Sequence, residues 1–379
     1  TACKNTGSFE AWLAAFKQEA SAKGIAPATL LAAAPTMTFD PGIVSRDRHQ
    51  GFFAQSFQDF SAKLATSGRV SSSQNQIRKN ASTFARADQQ WGVPAAVITA
   101  FWALESDFGS GMGKLPVLRS LTTLAYDCRR GDMFRAELLD ALRIIDRGDL
   151  VPSEMIGSWA GELGQTQFLP THYLAHAVDA DGDGRRDLLK SVPDVVTSTG
   201  AFIAHLGWQR GQPWLQEVRV PGNLPWDQAD LAIQHPRSKW ASMGVVAIDG
   251  KPMPADTLPA SLLLPMGRFG PAFLAYPNFQ VYLQWNQSLN YAVTAAHLAA
   301  RLAGAPAMAR PSTPIPELDA TQAKELQQLL TRRGYFDGEI DGKIGSATRA
   351  GVKKAQIKLG LPADSYPTPD LLEKLRGAR

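Results

Sequence analysis

Residues 101–114 read FWALESDFGSGMGK, and this stretch constrains the fold more than any other part of the chain. It closes a helix that the pattern predicts from Ala95 to about Asp107, with Pro94 near its first turn. The helix is apolar on nearly every face, and a helix without a polar face must be buried. Glycines then end it. The sequence therefore predicts a protein built around a buried helix that carries Glu105 at its carboxyl end.

Glu105 has the surroundings of a general acid. Burial and the negative end of the helix dipole both disfavour its charged form. A carboxyl group that stays protonated near neutral pH can protonate a glycosidic oxygen. The alternative is a structural glutamate paired with a buried arginine, and Arg129 or Arg130 could serve. The residues alone leave both interpretations open.

Length, charge and motifs exclude several classes of protein. The 379 residues suffice for two or three domains, and the net charge of +4 comes from scattered basic residues, not from a DNA-binding arm. No uninterrupted apolar run approaches the ~18 residues of a membrane-spanning helix. The glycines after Glu105 lack the spacing of a phosphate-binding P-loop, and no G-x-S-x-G motif supports serine hydrolase chemistry. We therefore expect no nucleic-acid partner and no transmembrane segment.

Elsewhere the pattern predicts an α+β protein that is mainly α. Helical periodicity recurs over residues 9–16, 74–91, 132–147, 191–207 and 291–302. Between about 214 and 284, prolines and glycines punctuate short strand-like runs, notably 261–265 and 279–283. This region reads as a β-containing subdomain within a first domain that extends over residues 1–304.

The end of the chain reads as a separate module. Residues 305–317 are Pro-rich with almost no periodicity, which is typical of a linker. A new amphipathic pattern then begins, with Ala323, Leu326 and Leu330 on one face. We predict a small helical domain over residues 318–379.

Residues 157–173, GSWAGELGQTQFLPTHY, form a second candidate site segment. Small residues permit close approach, amides and hydroxyls hydrogen-bond to sugars, and aromatic faces stack on sugar rings. The plainer interpretation is a helix–helix contact packed by small residues. The segment alone does not decide between them.

Taken together, LESDFG at residues 104–109 and GSWAGELGQTQFLP at 157–170 closely resemble the B-type lytic murein transglycosylase family. LTTLAYDCRRGDMF, DADGDGRRDL, GPAFLAYPNF and WNQSLNYA extend the resemblance, in the right order, over about residues 8–303. It implies a lysozyme-like helical core with added α and β subdomains. It also implies that Glu105 is the single catalytic glutamate. Family positions of the sugar groove match Ser158, Gln167, Phe168, Arg129, Arg130, Trp285, Asn286 and Tyr291.

The activity that the resemblance implies is cleavage of the β-1,4 bond between N-acetylmuramic acid and N-acetylglucosamine without water, leaving a 1,6-anhydro end. Glu162 stands where a small or apolar residue is expected, as a second groove carboxylate or a solvated turn residue. One alternative is a hydrolytic muramidase that uses Glu162 or Asp107 as its second carboxylate. Another is an inactive peptidoglycan-binding scaffold. The tail, with GYFDGEIDGKIGSAT, resembles the type 1 peptidoglycan-binding domain, which has no catalytic role.

Residues 179–190, DADGDGRRDLLK, begin as a calcium loop. Asp179, Asp181 and Asp183 occupy positions one, three and five, and Arg185 would offer its carbonyl at seven. Position twelve is a lysine, and the resemblance implies that a later carboxylate, Asp194 or Asp187, completes the site. The alternative is an Asp/Gly turn neutralised by neighbouring arginines. We expect no cofactor for catalysis and a possible structural calcium ion.

The two cysteines and the first residue of the chain indicate the cellular compartment of the protein. Cys3 and Cys128 are either two free thiols or, in an oxidising compartment, a disulfide, which we predict. The chain starts at Thr1 without an initiator methionine, which fits a processed secreted protein. We therefore expect a periplasmic monomer whose partner is the peptidoglycan glycan strand.

Overall fold

The computed structural model describes residues 7–49 and 56–377. The chain divides into two compact units, Thr1–Gln50 with Gln76–His205, and Gly51–Asn75 with Leu206–Arg379. Cys3 lies outside the described residues, so its pairing with Cys128 stays a prediction.

Helices make up most of the chain, as predicted. In chain order they are α1 (Phe9–Ala22), α2 (Pro27–Ala33), α3 (Pro41–Arg48), α4 (Phe57–Leu64), α5 (Ser67–Lys79), α6 (Ala81–Trp91), α7 (Ala95–Ser106), α8 (Val117–Tyr126), α9 (Gly131–Asp146), α10 (Pro170–His176), α11 (Val192–His205), α12 (Arg237–Ser242), α13 (Phe279–Trp285), α14 (Leu289–Leu302), α15 (Ala320–Arg332), α16 (Ser346–Lys358) and α17 (Pro369–Gly377). Within the described ranges, none is both long enough and apolar enough to cross a membrane.

Helix α7 is the buried helix that the sequence predicts. Its residues from Ala96 to Ala103 are all buried, and only Ala95, Leu104 and Glu105 are partly exposed. Helices α6 and α11 pack against it. The first unit is thus a helical core around α7.

One predicted helix, over residues 74–91, is divided in the structure. Asn80 separates α5 from α6 and has non-helical backbone angles, φ −113° and ψ 29°. Its side-chain amide donates to the carbonyl oxygen of Gln76 at 2.9 Å. Asparagine competes in this way with the helical hydrogen bonds, which explains the break.

The strands are short. They are β1 (Leu115–Pro116), β2 (Ile156–Gly157), β3 (Leu215–Arg219), β4 (His235–Pro236), β5 (Val246–Ala247), β6 (Pro259–Leu263) and β7 (Ala272–Ala275). The last five form one antiparallel sheet in the order β4-β6-β7-β3-β5, with Leu262 opposite Leu274 and Glu217 opposite Phe273. Its buried core includes Trp240, and it lies in the second unit.

The strand predicted over residues 279–283 is wrong, because this segment is helix α13. Gln280 and Gln284 lie four residues apart and are both exposed, whereas Phe279, Val281 and Tyr282 are buried. Polar residues four apart share one face of a helix, so the alternation that suggested a strand does not persist.

Helices α15 to α17 enclose a small core of their own, which includes Leu326, Val352 and Leu371. They also contact the sheet region within the same unit. Arg349 donates to the carbonyl oxygen of Leu264 at 2.9 Å.

Candidate active site

Glu105 lies in the last turn of α7 and is half-buried. The helix ends directly after it, because Asp107 and Phe108 both adopt left-handed backbone angles, with φ of 46° and 61°. The Phe108 ring then packs edge-on against Trp102, at 5.0 Å between ring centroids. The predicted position of the glutamate at the end of a buried helix is therefore confirmed.

Gln165 fastens the loop of residues 157–168 to this end of α7. Its side-chain oxygen accepts a hydrogen bond from the Trp102 indole nitrogen at 2.8 Å. Its main-chain oxygen accepts another from the Ser106 hydroxyl at 2.5 Å. Trp102 precedes Glu105 by one helical turn and Ser106 follows it directly, so Gln165 fixes the helix on both sides of the candidate acid.

Gly113 and Gly157 allow the main chain that follows α7 to lie directly against the loop of residues 157–168. A Cβ atom on Gly113 would lie 2.2 Å from the carbonyl oxygen of Gly157, and one on Gly157 would lie 2.0 Å from that of Glu162. Leu115 pairs with Gly157 where β1 meets β2. No side chain fits at either glycine, which explains their place in the motif.

Ser158 organises the turn that follows. Its hydroxyl oxygen accepts hydrogen bonds from the main-chain nitrogens of Ala160 at 3.2 Å and Glu162 at 3.0 Å. The hydroxyl lies 3.5 Å from the Glu162 carboxylate. Burial above all, and then the charge of Glu105, raise the pKa of Glu162 to about 7. Glu162 is partly buried in this turn, and both interpretations of its role stay predictions.

Gln167 and Phe168 end the loop. Gln167 has a left-handed φ of 54°, and its amide donates to the carbonyl oxygens of Met112 at 3.1 Å and Gly164 at 2.8 Å. Phe168 is 2% exposed, and its ring packs against Phe202 at 5.1 Å. In this structure Gln167 and Phe168 hold the loop on the helical core.

Arg129 and Arg130 both bind the buried carboxylate of Asp47. Arg129 lies 2.8 Å from it, and Arg130 also packs over the ring of Phe134. The structure thus gives these arginines a partner other than Glu105.

The remaining predicted groove residues lie in the second unit. Trp285 ends α13, and Asn286 follows it and accepts a hydrogen bond from the main chain of Ser288 at 2.9 Å. Tyr291 is buried in the first turns of α14.

The predicted calcium loop brings carboxylates together. Oxygen atoms of Asp179, Asp181, Asp183 and Asp194 all lie within 4.8 Å of one another. Asp187 is outside this group and accepts hydrogen bonds from the main chain of Leu189 and Lys190. Four hard oxygen donors at this spacing suit a calcium ion.

Two of the three basic residues of the loop, Arg185 and Lys190, have carboxylate partners outside the aspartate cluster. The Arg185 side chain donates to the carbonyl oxygen of Asp149 at 2.8 Å and contacts Glu154 at 3.2 Å. Lys190 also contacts Glu154, at 3.8 Å. Both side chains therefore pair with Glu154 and do not neutralise the four aspartates. This arrangement favours a cation site over a turn whose charge is balanced by its own basic residues.

Hydrogen bonds connect the aspartate cluster to the end of α7. Asp194 accepts from the main-chain nitrogen of Asp187 at 2.8 Å. Gln165 then joins the next residues, donating from its side chain to the carbonyl oxygen of Leu189 and from its main chain to that of Leu188. The opposite side of Gln165 binds Trp102. The loop and the end of α7 therefore share one network.

Comparison with known proteins assigns the family. Residues 8–300 match the family described as "Transglycosylase SLT domain", and residues 319–375 match "Putative peptidoglycan binding domain". The chain therefore belongs to the SLT transglycosylase family, whose lytic murein members act on peptidoglycan. The family predicted from the motifs is confirmed.

Several relatives are similar over long stretches. Membrane-bound lytic murein transglycosylase B of Escherichia coli (strain K12) is 30% identical over 209 residues, which are 55% of this chain and 56% of that protein. The chain thus spans only about half of this curated relative. SltB3 from Pseudomonas aeruginosa, solved in complex with NAG-anhNAM-pentapeptide, is 41% identical with a TM-score of 0.91, covering 98% of this chain and 100% of that chain.

A third relative carries a metal. Escherichia coli Slt35, solved in complex with calcium, is 26% identical with a TM-score of 0.59, covering 70% of this chain and 83% of that chain. These similarities confirm the predicted fold class, a lysozyme-like helical core with a small β-containing subdomain and a C-terminal helical domain.

Proposed function

We propose that this chain is a lytic transglycosylase that cleaves the β-1,4 bond between N-acetylmuramic acid and N-acetylglucosamine in peptidoglycan strands. The observation that carries the proposal is the placement of Glu105. It is half-buried at the end of α7, and Gln165 binds the residues on both sides of it. Family membership supplies the substrate class.

In the proposed reaction one residue, Glu105, acts first as the acid and then as the base. Glu105 donates its proton to the glycosidic oxygen while the bond from that oxygen to C1 of muramic acid breaks. The Glu105 carboxylate then takes the proton of the muramic acid C6 hydroxyl, whose oxygen bonds to C1. The products are a free 4-hydroxyl and a 1,6-anhydro ring. Glu105 ends protonated, and no water is consumed.

The mass of the products tests the proposal. Purified sacculi are digested with the enzyme, and the muropeptides are measured by mass spectrometry. Anhydro ends, lighter by one water than reducing ends, are the expected result. Reducing ends would indicate a hydrolytic muramidase, and a digest without fragments would indicate a binding scaffold.

For the aspartate cluster we propose a structural calcium ion held by Asp179, Asp181, Asp183 and Asp194, with the carbonyl of Arg185 as a further ligand. The spacing of the four carboxylates supports this, as does the calcium complex of Slt35. A cation would offset the repulsion among the carboxylates and stabilise the loop that supports Gln165. It would take no part in the reaction.

Calcium binding predicts a thermal shift. Calcium added to chelator-treated protein should raise its melting temperature, and saturation at about 100 times Kd corresponds to about 2.7 kcal/mol. Asp183→Asn should reduce the shift. Asp140→Asn removes a carboxylate that pairs with Arg143 on α9, so it should leave the shift unchanged. Equal melting temperatures with and without calcium would contradict the proposal.

We further propose the division of labour that the sequence suggests. Residues 1–304 form the catalytic domain, residues 305–317 form a linker, and residues 318–379 form a domain that binds peptidoglycan. The family matches at residues 8–300 and 319–375 agree with this division. The enzyme would act as a monomer in the periplasm, where its substrate lies. Sedimentation of the purified protein and cell fractionation test these two statements.

A further inference from the structure

A cavity in the second unit is lined by residues other than those of the candidate active site. Its volume is about 560 Å³, and it is bordered by the end of α4, by the second half of α14 and by residues 307–311. The main-chain nitrogen of Ala309 donates to the buried Glu217 carboxylate of β3 at 3.0 Å, which holds this last border in place. A cavity of this size can accommodate a small molecule or a short peptide.

His297 of α14 lines the cavity and is only 3% exposed. Its ring packs edge-on against Phe273 of β7, at 5.7 Å between ring centroids. Its Nε2 atom is buried and has no hydrogen-bond partner among the residues that the structure describes. Buried polar atoms in native proteins are nearly always paired, so an unpaired one at a cavity indicates a group that a ligand or a water molecule completes.

The imidazole of His297 is neutral at neutral pH. Burial, and then the positive charge of Arg301, lower the pKa of His297 to about 4. In a neutral imidazole one ring nitrogen donates a hydrogen bond and the other accepts one. A peptide backbone offers both an N–H group and a carbonyl oxygen, so it can pair with either nitrogen.

Two arginines bring positive charge to the cavity. Arg301 follows His297 by four residues and therefore lies on the same face of α14. Its guanidinium donates to the carbonyl oxygen of Ala65, just beyond the end of α4, at 2.9 Å. Arg310 lines the cavity from the Pro-rich segment. In the described part of the chain neither arginine pairs with a carboxylate, so both can bind one on a ligand.

The rest of the lining narrows the class of ligand. Asp59 of α4 is exposed and adds a negative charge. A lining with a carboxylate and two arginines favours a zwitterion over a simple anion, and the guanidinium groups disfavour a metal ion. The lining residues described include no Phe, Tyr or Trp on which a sugar ring could stack. This composition suits a charged peptide better than a glycan strand.

We propose that the cavity binds a short zwitterionic peptide, with its carboxylate on Arg301 and Arg310, its ammonium on Asp59 and its backbone on His297. Peptides released from the cell wall and peptides released from proteins share this chemistry. The binding goes beyond the reaction at Glu105 and does not depend on it. Because residues 307–311 border the cavity, the bound peptide also contacts the segment that joins the two predicted domains.

Isothermal titration calorimetry with the full chain tests this binding. The probe is L-Lys-D-Ala-D-Ala, which carries two ammonium groups and ends in a carboxylate. Its diacetyl form lacks both ammonium groups, and its C-terminal amide lacks the carboxylate. The parent peptide should bind, and each modified form should bind about tenfold more weakly or not at all. A parent peptide that does not bind, or equal affinity for all three, would overturn the proposal.

Two further ligands define the specificity. L-Lys-L-Ala-L-Ala has the same charges, and tighter binding of the D-alanine form would assign the site to cell-wall peptides. Tighter binding of the all-L form would assign it to peptides from proteins, and either result supports a peptide site. Inorganic phosphate that binds as tightly as the parent peptide would show a general anion site and overturn the proposal.

Arg310→Met is the decisive variant, because Arg310 is exposed and its loss should leave the fold intact. It should weaken the parent peptide about tenfold and leave the affinity of the amide unchanged. Arg332→Met, at an exposed position of α15 outside the lining, is the matched control and should bind like the wild type. An Arg310→Met variant with wild-type affinity would contradict the assignment.

His297→Leu separates binding from packing. Leucine fills a similar volume and removes the unpaired buried nitrogen, so the unliganded variant should melt at or above the wild-type temperature. Its affinity for the parent peptide should still fall about tenfold. A variant that loses stability and keeps wild-type affinity would make His297 a packing residue and exclude it from the site.

Turnover measured on the same samples keeps this binding apart from the proposed function. Arg310→Met should release fragments from sacculi at the wild-type rate. If the wild type binds the peptide and releases no fragments, only the proposed function fails. If it releases fragments and binds no peptide, only the peptide site fails.

Discussion

Two regions of the molecule use a buried glutamine in opposite ways. In the first unit, Gln165 lies in a loop and its side chain reaches out to Trp102 of α7 and to the main chain of Leu189. In the C-terminal helical region, Gln327 lies on α15 and reaches a turn. It donates to the carbonyl oxygen of Lys343 at 3.0 Å and accepts from the nitrogen of Gly342 at 2.7 Å.

This difference shows when a hydrogen bond that stabilises the fold also affects catalysis. Both side chains are buried, at 7% exposure for Gln165 and 0% for Gln327, and each satisfies main-chain groups that would otherwise lack a partner. The partners of Gln327 belong to its own small domain. Those of Gln165 include the helix that carries Glu105. Loss of the first should cost stability alone, and loss of the second should also cost rate.

The largest effect should come from Glu105→Gln. An amide cannot donate the proton to the glycosidic oxygen, so turnover of sacculi should fall about 10²–10⁴-fold while binding persists. Release of soluble anhydro-muropeptides measures this. Asp107→Asn is the control, because Asp107 is exposed beyond the helix end and asparagine tolerates its left-handed backbone.

Near-wild-type turnover is expected for Asp107→Asn. Loss of activity in that variant would favour the hydrolytic alternative with two carboxylates. Wild-type rates for Glu105→Gln would remove Glu105 from the mechanism.

The paired variants Gln165→Ala and Gln327→Ala test the comparison directly. Each leaves buried groups without a hydrogen bond, at about 1–3 kcal/mol of unfolding free energy per group. Gln165→Ala should also lower kcat on short soluble glycan fragments, by up to about 100-fold, because a small displacement of the acid is costly. Gln327→Ala should leave that kcat unchanged.

Calorimetry and kinetics on the same samples separate the outcomes. If both variants lose stability and neither loses kcat, Gln165 is a structural residue only. Equal losses of kcat would mean that the C-terminal region supports the site, and the comparison would fail.

A smaller effect is expected where the C-terminal helices meet the sheet. Arg349 binds the buried main chain of Leu264, so Arg349→Met should cost about 1–3 kcal/mol and loosen this contact. Limited proteolysis within residues 305–317 should become faster. Arg332→Met, at an exposed position on α15, should digest like the wild type. Equal digestion of both variants would mean that Arg349 does not hold the contact.

Much of this fold could be predicted from the sequence, for physical reasons that particular residues show. Helix α7 is apolar on nearly every face, and it is buried. Ser8 is a helix cap whose hydroxyl accepts a hydrogen bond from the main chain of Ala11 in α1. In both places the local sequence pattern and the tertiary structure agree. The error at α13 arose because Phe279–Trp285 is short and rich in aromatic residues, which suit either a strand or a buried helix. Only packing decides such a segment.

The sequence motifs locate the candidate site, but they do not predict the hydrogen bonds that connect its residues. The family resemblance assigns sugar binding to Gln167, whereas the residue that holds the loop is Gln165, two positions earlier in GQTQF. A second glutamine in one motif was the available signal. Its partners lie 63 and 24 residues away, at Trp102 and Leu189, and such pairings depend on topology that local sequence does not contain.

The smallest effect should come from Lys353→Met. Its ammonium lies 2.8 Å from the Asp230 carboxylate, and both side chains are partly exposed. Burial alone would raise the pKa of Asp230. This effect is outweighed by hydrogen bonds from Lys353 and from the main chain of Ala232, and by the positive charges of Lys353 and Arg349. The net result is a lowered pKa. The stabilisation is therefore present above an ordinary aspartate pKa of 3.8 and is lost as the pH falls below it. At neutral pH the variant should lose about 0.5–1 kcal/mol.

Thermal unfolding of the wild type and the variant at pH 7 and pH 3 measures this difference, which should narrow at the lower pH. Lys358→Met, on an exposed position of the same helix, is the control for loss of a positive charge. A deficit of the same size at both pH values would mean that the Lys353 side chain stabilises the contact by packing. The contact between α16 and the sheet region would then depend on apolar burial and on the hydrogen bond from Arg349 to the carbonyl oxygen of Leu264.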